Sequence, residues 1–206
     1  MDTGITVTGT GQATAPADLL RLTLSVGHDA GDVAAAVAQV AEKTDAVHAA
    51  LSARGVEASD IETSTVNVYP QYKDSMSVAG YRASHSLTVT TRDLTGFGAL
   101  LNAAVDAVGN DLGMDGLNFD VAEKQPLMDQ ARQLAFAQAR EKAAQLAELA
   151  GQSLGSIAAV TETYGHGPIP MALSVAKGSG AYDSALTITP GEQTIQISLD
   201  VRWNWA

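Results

Sequence analysis

Apolar positions recur along this chain with periods of two and of roughly three and a half, and the switches between them set out an order of elements. Ile5 and Val7 alternate with threonines before Gly9-Thr10-Gly11, which predicts a short strand ending at a turn or bulge. Leu20, Leu22, Leu24 and Val26 alternate with Arg21, Thr23 and Ser25, as a half-buried strand requires. Asp32 is placed to cap a helix whose stripe is Val33, Val37, Val40, Thr44, Val47 and Leu51, with Gly55 after its end. Ile61 to Tyr72 is rich in Thr, Val and Tyr, and a polar turn over Lys73 to Ser77 leads into a strand with Tyr81, Ala83, His85, Leu87 and Val89 on one face. The pair reads as a long hairpin. Leu94, Phe97, Leu101, Ala104, Val105 and Val108 form the next helical stripe, stopped by Gly109, and Leu117, Phe119 and Val121 alternate again.

From Leu20 to Val121 the order is β-α-β-β-α-β, which predicts an α+β fold with a ferredoxin-like unit over residues 18–124, two helices on one face of an antiparallel sheet. The remainder predicts a second, discontinuous two-layer α/β sandwich over 1–17 and 125–206. Its helix starts at Pro126 and runs to about Ala150, with a stripe of Leu127, Ala131, Leu134, Ala139, Ala143, Leu146 and Ala150. A strand follows from Ile157 to Tyr164. The last strand alternates most clearly: Ile195, Ile197, Leu199, Val201, Trp203 and Trp205 face away from Gln196, Ser198, Asp200, Arg202 and Asn204. Both tryptophans point to a core or a subunit contact rather than to ligand stacking.

Residues 165–191 form a long stretch without a clear period, and long loops in compact domains are commonly functional. This one carries His166, Ile169, Met171, Leu173, Val175, Tyr182 and Leu186, more apolar area than a solvated linker needs. Two readings stay open: a segment that packs on a neighbouring subunit, or an extra strand or arm covering the chain's own sheet.

Composition narrows the function more than the fold. Twelve Lys and Arg against 23 Asp and Glu give a net charge of −11, which disfavours nucleic acid and anionic lipid as partners. Cysteine is absent, removing disulfides, thiolate metal sites and a cysteine nucleophile together. No run is apolar enough to cross a bilayer as a helix. Met1 to Gly11 has neither the basic nor the apolar segment of an export leader, so a cytosolic protein and the mature part of an exported one are both open.

The candidate chemistry is thin. Gly151-Gln152-Ser153-Leu154-Gly155 matches the G-x-S-x-G nucleophile elbow, which would make Ser153 a hydrolase nucleophile. The elbow needs a strand before the serine and a helix after it, and here the order is reversed; helix capping explains both glycines. Gly4, Gly9 and Gly11 lack the third glycine and the Lys-Ser/Thr of phosphate-binding loops. His28, His48, His85 and His166 have no metal-ligand spacing and no dense carboxylate motif around them. No catalytic residue, metal site or cofactor is expected.

An ordered set of short motifs spans nearly the whole chain. It runs from Val7-Thr8-Gly9-Thr10-Gly11 and Ala15-Pro16-Ala17-Asp18 through Gly55-Val56, Asp60-Ile61-Glu62-Thr63, Tyr69-Pro70-Gln71-Tyr72 and Gly80-Tyr81-Arg82-Ala83. It continues with Asp93-Leu94, Gly116-Leu117-Asn118-Phe119, the helix from Ala135 to Gly151, Leu154-Gly155 and Pro190-Gly191-Glu192. In this order and spacing the chain resembles the SIMPL-domain family, which includes a periplasmic immunogenic protein of Gram-negative pathogens and relatives linked to oxidative-stress tolerance. The resemblance implies a two-part α/β protein of the periplasm, cell surface or secreted space, assembling in some members into hollow rings or barrels, with no established catalytic residues. The expectation is therefore a non-enzymatic, self-associating protein of the cell envelope. The alternatives are a binding module for a small molecule, peptide or partner protein, and a stress-protective role.

Overall fold

A computed structural model of the chain describes residues 4–74, 77–164 and 190–206. The strands are β1 (Gly4–Pro16), β2 (Leu19–Ala30), β3 (Ile61–Asp74), β4 (Ser77–Thr91), β5 (Leu112–Asp120), β6 (Leu154–Tyr164) and β7 (Glu192–Trp205). The helices are α1 (Val33–Ser52), α2 (Phe97–Val108) and α3 (Gln125–Leu149). The fold class is α+β, as the periodicity predicts. Two compact units share the described residues, one of 18–120 with 190 and one of 4–17, 121–164 and 191–206.

In the unit of residues 18–120 the strand order is β3-β4-β2-β5, and each neighbouring pair is antiparallel. That is the split βαβ arrangement. Leu20, Leu22, Leu24 and Val26 of β2 are almost fully buried against Val47 and Leu51 of α1 and Phe97, Leu100 and Ala104 of α2. Asp32 caps α1 as expected, its carboxylate accepting a hydrogen bond from the Ala35 N–H at 2.9 Å. The helical stripes need correction. In α1 the buried line is Ala36, Val40, Thr44, Val47 and Leu51, with Val33 and Val37 exposed. The first turns meet Ala83, beside Val68 and Tyr81, through the small Ala36. In α2, Leu100 and Ala103 are buried as well, Leu101 packs half-buried against the core as expected, and Val105 is exposed.

The other unit is a three-stranded antiparallel sheet, β1-β7-β6, with α3 against it. Here the expected turn at Gly9-Thr10-Gly11 is overturned: β1 runs unbroken through both glycines and pairs with β7 over its whole length. Val7, Gly9, Gly11 and Ala13 are its inward positions. The inward line of α3 is Leu127, Ala131, Ala135, Ala139, Ala143 and Ala147, whereas Leu134 and Leu146, expected inside, are exposed. Such an i, i+4 row is inclined to the helix axis and suits a twisted sheet. The absence of side chains explains both corrections. A methyl on Gly9 would overlap the Ala135 carbonyl oxygen and stand 2.7 Å from the Ala139 Cβ. One on Gly11 would overlap the Ala131 carbonyl oxygen. Helix and strand backbones touch, leaving no room for leucine.

The close approach also covers an edge. β1 pairs with β7 on one side only. On the other side, Gln138 Oε1 accepts the Thr10 N–H at 2.8 Å, and Lys142 Nζ donates to the Thr8 carbonyl at 3.0 Å. Two backbone groups that would otherwise offer pairing to another strand are thus occupied by α3.

The same Gly→Ala change should therefore have opposite signs at two places. Gly9→Ala should destabilise the chain by about 3 kcal/mol, because the clash is with backbone and cannot be relieved by a rotamer change. Gly98→Ala, inside α2 with open space around it, should stabilise by about 0.5–1 kcal/mol. Denaturant midpoints of the two variants measure both.

Candidate functional site

Edges and exposed apolar residues concentrate on the β3–β4 hairpin. β3 is an end strand, and no strand among the described residues pairs with its outer side. Its sequence accounts for that place, since Pro70 lacks an N–H and proline in a sheet is confined to edges and bulges. The register with β4 slips at Thr63/Thr65, at Gln71/Tyr72 and again before Asp74. Several large apolar side chains of this hairpin are exposed. Val66 and Tyr72 are each 60% exposed, Tyr69 is 55% exposed and Val78 is 49% exposed. In the other sheet, end strand β6 exposes Ile157 and Val160 about as much.

Titratable groups gather under α1. Asp111 Oδ2 receives Lys43 Nζ at 2.8 Å and lies 3.1 Å from His28 Nδ1. Hydrogen bonding to Lys43, aided by His28 and opposed by partial burial, holds the Asp111 carboxyl below its ordinary range. His85 sits between α1 and β3, with Nδ1 3.1 Å from Thr44 Oγ1 and Nε2 3.3 Å from Thr63 Oγ1. Burial first, then coulombic repulsion from His48, lowers its proton affinity against an opposing pull from Asp45. Asp93 is also lowered, by hydrogen bonds from the Thr95 hydroxyl, the Thr95 N–H and the Gly96 N–H that cap the approach to α2. These arrangements fix backbone and helix positions.

The sequence-based candidates fare unevenly. His166, Ile169, Met171, Leu173, Val175, Tyr182 and Leu186 lie outside the described residues. Ser153 is exposed in the turn between α3 and β6, where Gly151 adopts a φ of +67° and caps the helix. Its carbonyl accepts the Ala206 N–H at 2.9 Å. His28 and His85 hydrogen-bond to side chains of their own unit. Trp203 is buried, 6.4 Å from Phe136 between ring centroids. Among the described residues no three His, Asp or Glu side chains converge as metal ligands, and no helix is long and apolar enough to cross a membrane. Sequence reasoning passed over the hairpin tip, although the Pro70 signal for an edge stood beside Tyr69 and Tyr72.

The sequence profile described as SIMPL, a protein of unknown function (DUF541), matches residues 5–203. The 26 kDa periplasmic immunogenic protein of Brucella melitensis is 32% identical over 96% of this chain and 82% of its own length. The uncharacterized protein YggE of Edwardsiella ictaluri is 30% identical over 93% of the chain and 81% of its own length. The Escherichia coli K12 protein of the same name is 29% identical over 76% of the chain and 64% of its own length.

The pH dependence of stability should separate into two windows. A histidine whose proton affinity is lower in the fold than in the unfolded chain contributes stability that is complete above its ordinary value of 6.5. That contribution is lost as the pH falls through the lowered value. His85→Asn should flatten the fall in Tm just below pH 6.5. It should keep the later fall below the ordinary carboxyl value of 3.8, where Asp111 and Asp93 become protonated. Thermal unfolding across this pH range tests both.

Proposed function

Because the chain belongs to the SIMPL family, whose function is unknown, we propose from its exposed edges that it is a non-enzymatic, self-assembling protein of the extracytoplasmic space. The observation that carries this reading is the β3–β4 hairpin, whose end strand β3 has no strand on its outer side among the described residues and is flanked by Val66, Tyr69, Tyr72 and Val78. An end strand offers a row of N–H and C=O groups to another strand, and large exposed apolar side chains beside it supply contact area. A second copy of the chain satisfies both needs, and repetition of such a contact closes into a ring when the rotation between copies allows it. Residues 165–189, with their apolar side chains, serve as a second assembly element in this reading. The word periplasmic in the name of the Brucella relative supports the extracytoplasmic location.

Light scattering on the size-exclusion peak tests the proposal. The intact chain should elute as a multi-subunit species of defined mass. Tyr72→Lys and deletion of residues 165–189 should each shift it towards the monomer while the far-ultraviolet circular dichroism stays unchanged. A chain that stays monomeric at high concentration contradicts the reading.

A further inference from the structure

The four-stranded sheet of residues 18–120 carries α1 and α2 on one face, and its opposite face holds a bowl of about 310 Å³. Two positions of the bowl lack side chains, and the Arg82 guanidinium and the Ser25 hydroxyl lie over them. Gly27 of β2 and Gly113 of β5 form its floor, and a Cβ at Gly27 would stand 2.8 Å from Arg82 Nη2, which lies across it. Around the floor stand Ser25 of β2 and Ser84 and Ser86 of β4. The register fixes this grouping, pairing Ser25 with Ser86, Gly27 with Ser84 and Ser25 with Gly113. Asn110, Asp111 and Asp115 complete the rim on the β5 side.

The hydrogen-bonding inventory of the bowl is largely unspent. The Ser84 and Ser86 hydroxyls and the Asn110 amide make no hydrogen bond among the described residues, and Arg82 uses Nη1 alone, on both carboxylate oxygens of Asp29 at 3.1 Å. Its charges, by contrast, are mostly compensated from outside. Asp29 neutralises Arg82, and Lys43 neutralises Asp111. Asp115 makes no ion pair among the described residues, and its Oδ1 accepts the Ser25 hydroxyl at 3.2 Å. Apolar ligands favour apolar pockets, and this one is lined by hydroxyls, amides and planar charged groups with Leu112 as its sole large apolar side chain. A strongly charged ligand would find little net charge to meet. Ligand hydroxyls, which both donate and accept, match the mixed set.

We propose that this bowl binds a neutral polyhydroxylated ligand of about one sugar ring, held by the Ser84 and Ser86 hydroxyls, the Asn110 amide, Arg82 Nη2 and the Asp115 carboxylate. The site lies on the sheet face and does not depend on self-assembly.

Amide chemical-shift titration of the full chain tests it, using methyl glucoside, methyl galactoside, methyl mannoside and N-acetylglucosamine as probes, with glycine and inorganic phosphate alongside. At least one sugar should move the Gly27, Ser84, Ser86 and Gly113 amides saturably. The Ser84→Val/Ser86→Val double variant, which keeps strand-favouring side chains, should weaken that binding about tenfold or more. Shifts with glycine or phosphate but with no sugar, shifts confined to other regions, no shifts at all, or equal affinity in the folded double variant would each overturn the proposal.

Discussion

A helix can approach a strand only as closely as the side chains between them permit, and at Gly9 and Gly11 the strand has none. Alanines at 131, 135, 139 and 143 of α3 meet that gap, so that the two backbones come into contact. Every feature of this unit follows from the approach. It excludes Leu134 and Leu146 from the interior. It brings Gln138 and Lys142 within reach of the outer side of β1, where they occupy the Thr10 N–H and the Thr8 carbonyl. The other end strand of this sheet, β6, has no further strand paired to it among the described residues.

The four-stranded unit is built differently. Leucines of β2 fill the space between sheet and helices, and the core is one of large side chains rather than backbone contact. Its helices cover the sheet only as far as Ala36 and Val40 reach. Nearer the tip the hairpin exposes Tyr72 and Val78, and on the face opposite the helices small hydroxyls and glycines line a hollow. Small residues thus act in two ways in this protein: in β1 they bring a helix in, and in β2 and β5 they line a hollow over the sheet.

The element order and the split βαβ topology were legible because period-two alternation in β2, β4 and β7 is strong and the turns between elements carry Gly, Asp or Pro. The helix faces were read less well. Hydropathy ranks Val33, Val37, Leu134 and Leu146 above alanine, whereas close packing selects Ala36, Ala135 and Ala147 for the inward line. Glycines in β1 look like a turn in isolation; their role depends on a helix more than a hundred residues away. The exposed side chains of the hairpin escaped notice for a related reason, since alternation alone does not show that Val66 stays exposed while Val68, two residues on, packs against Ala36. The family resemblance was legible in the order of weak motifs, each of which marks a turn, a cap or a close contact rather than chemistry.

In the reading proposed above, the edge at β1 occupied by α3 and the edge at β3, unpaired among the described residues, decide how copies of this chain can meet. Amide hydrogen exchange, measured across protein concentration, tests it most directly. The Thr10 amide should be protected at every concentration, because its partner is the Gln138 side chain of the same copy. The outward amides of β3 should gain protection as concentration rises. Rapid exchange at Thr10, or β3 protection indifferent to concentration, would contradict the account.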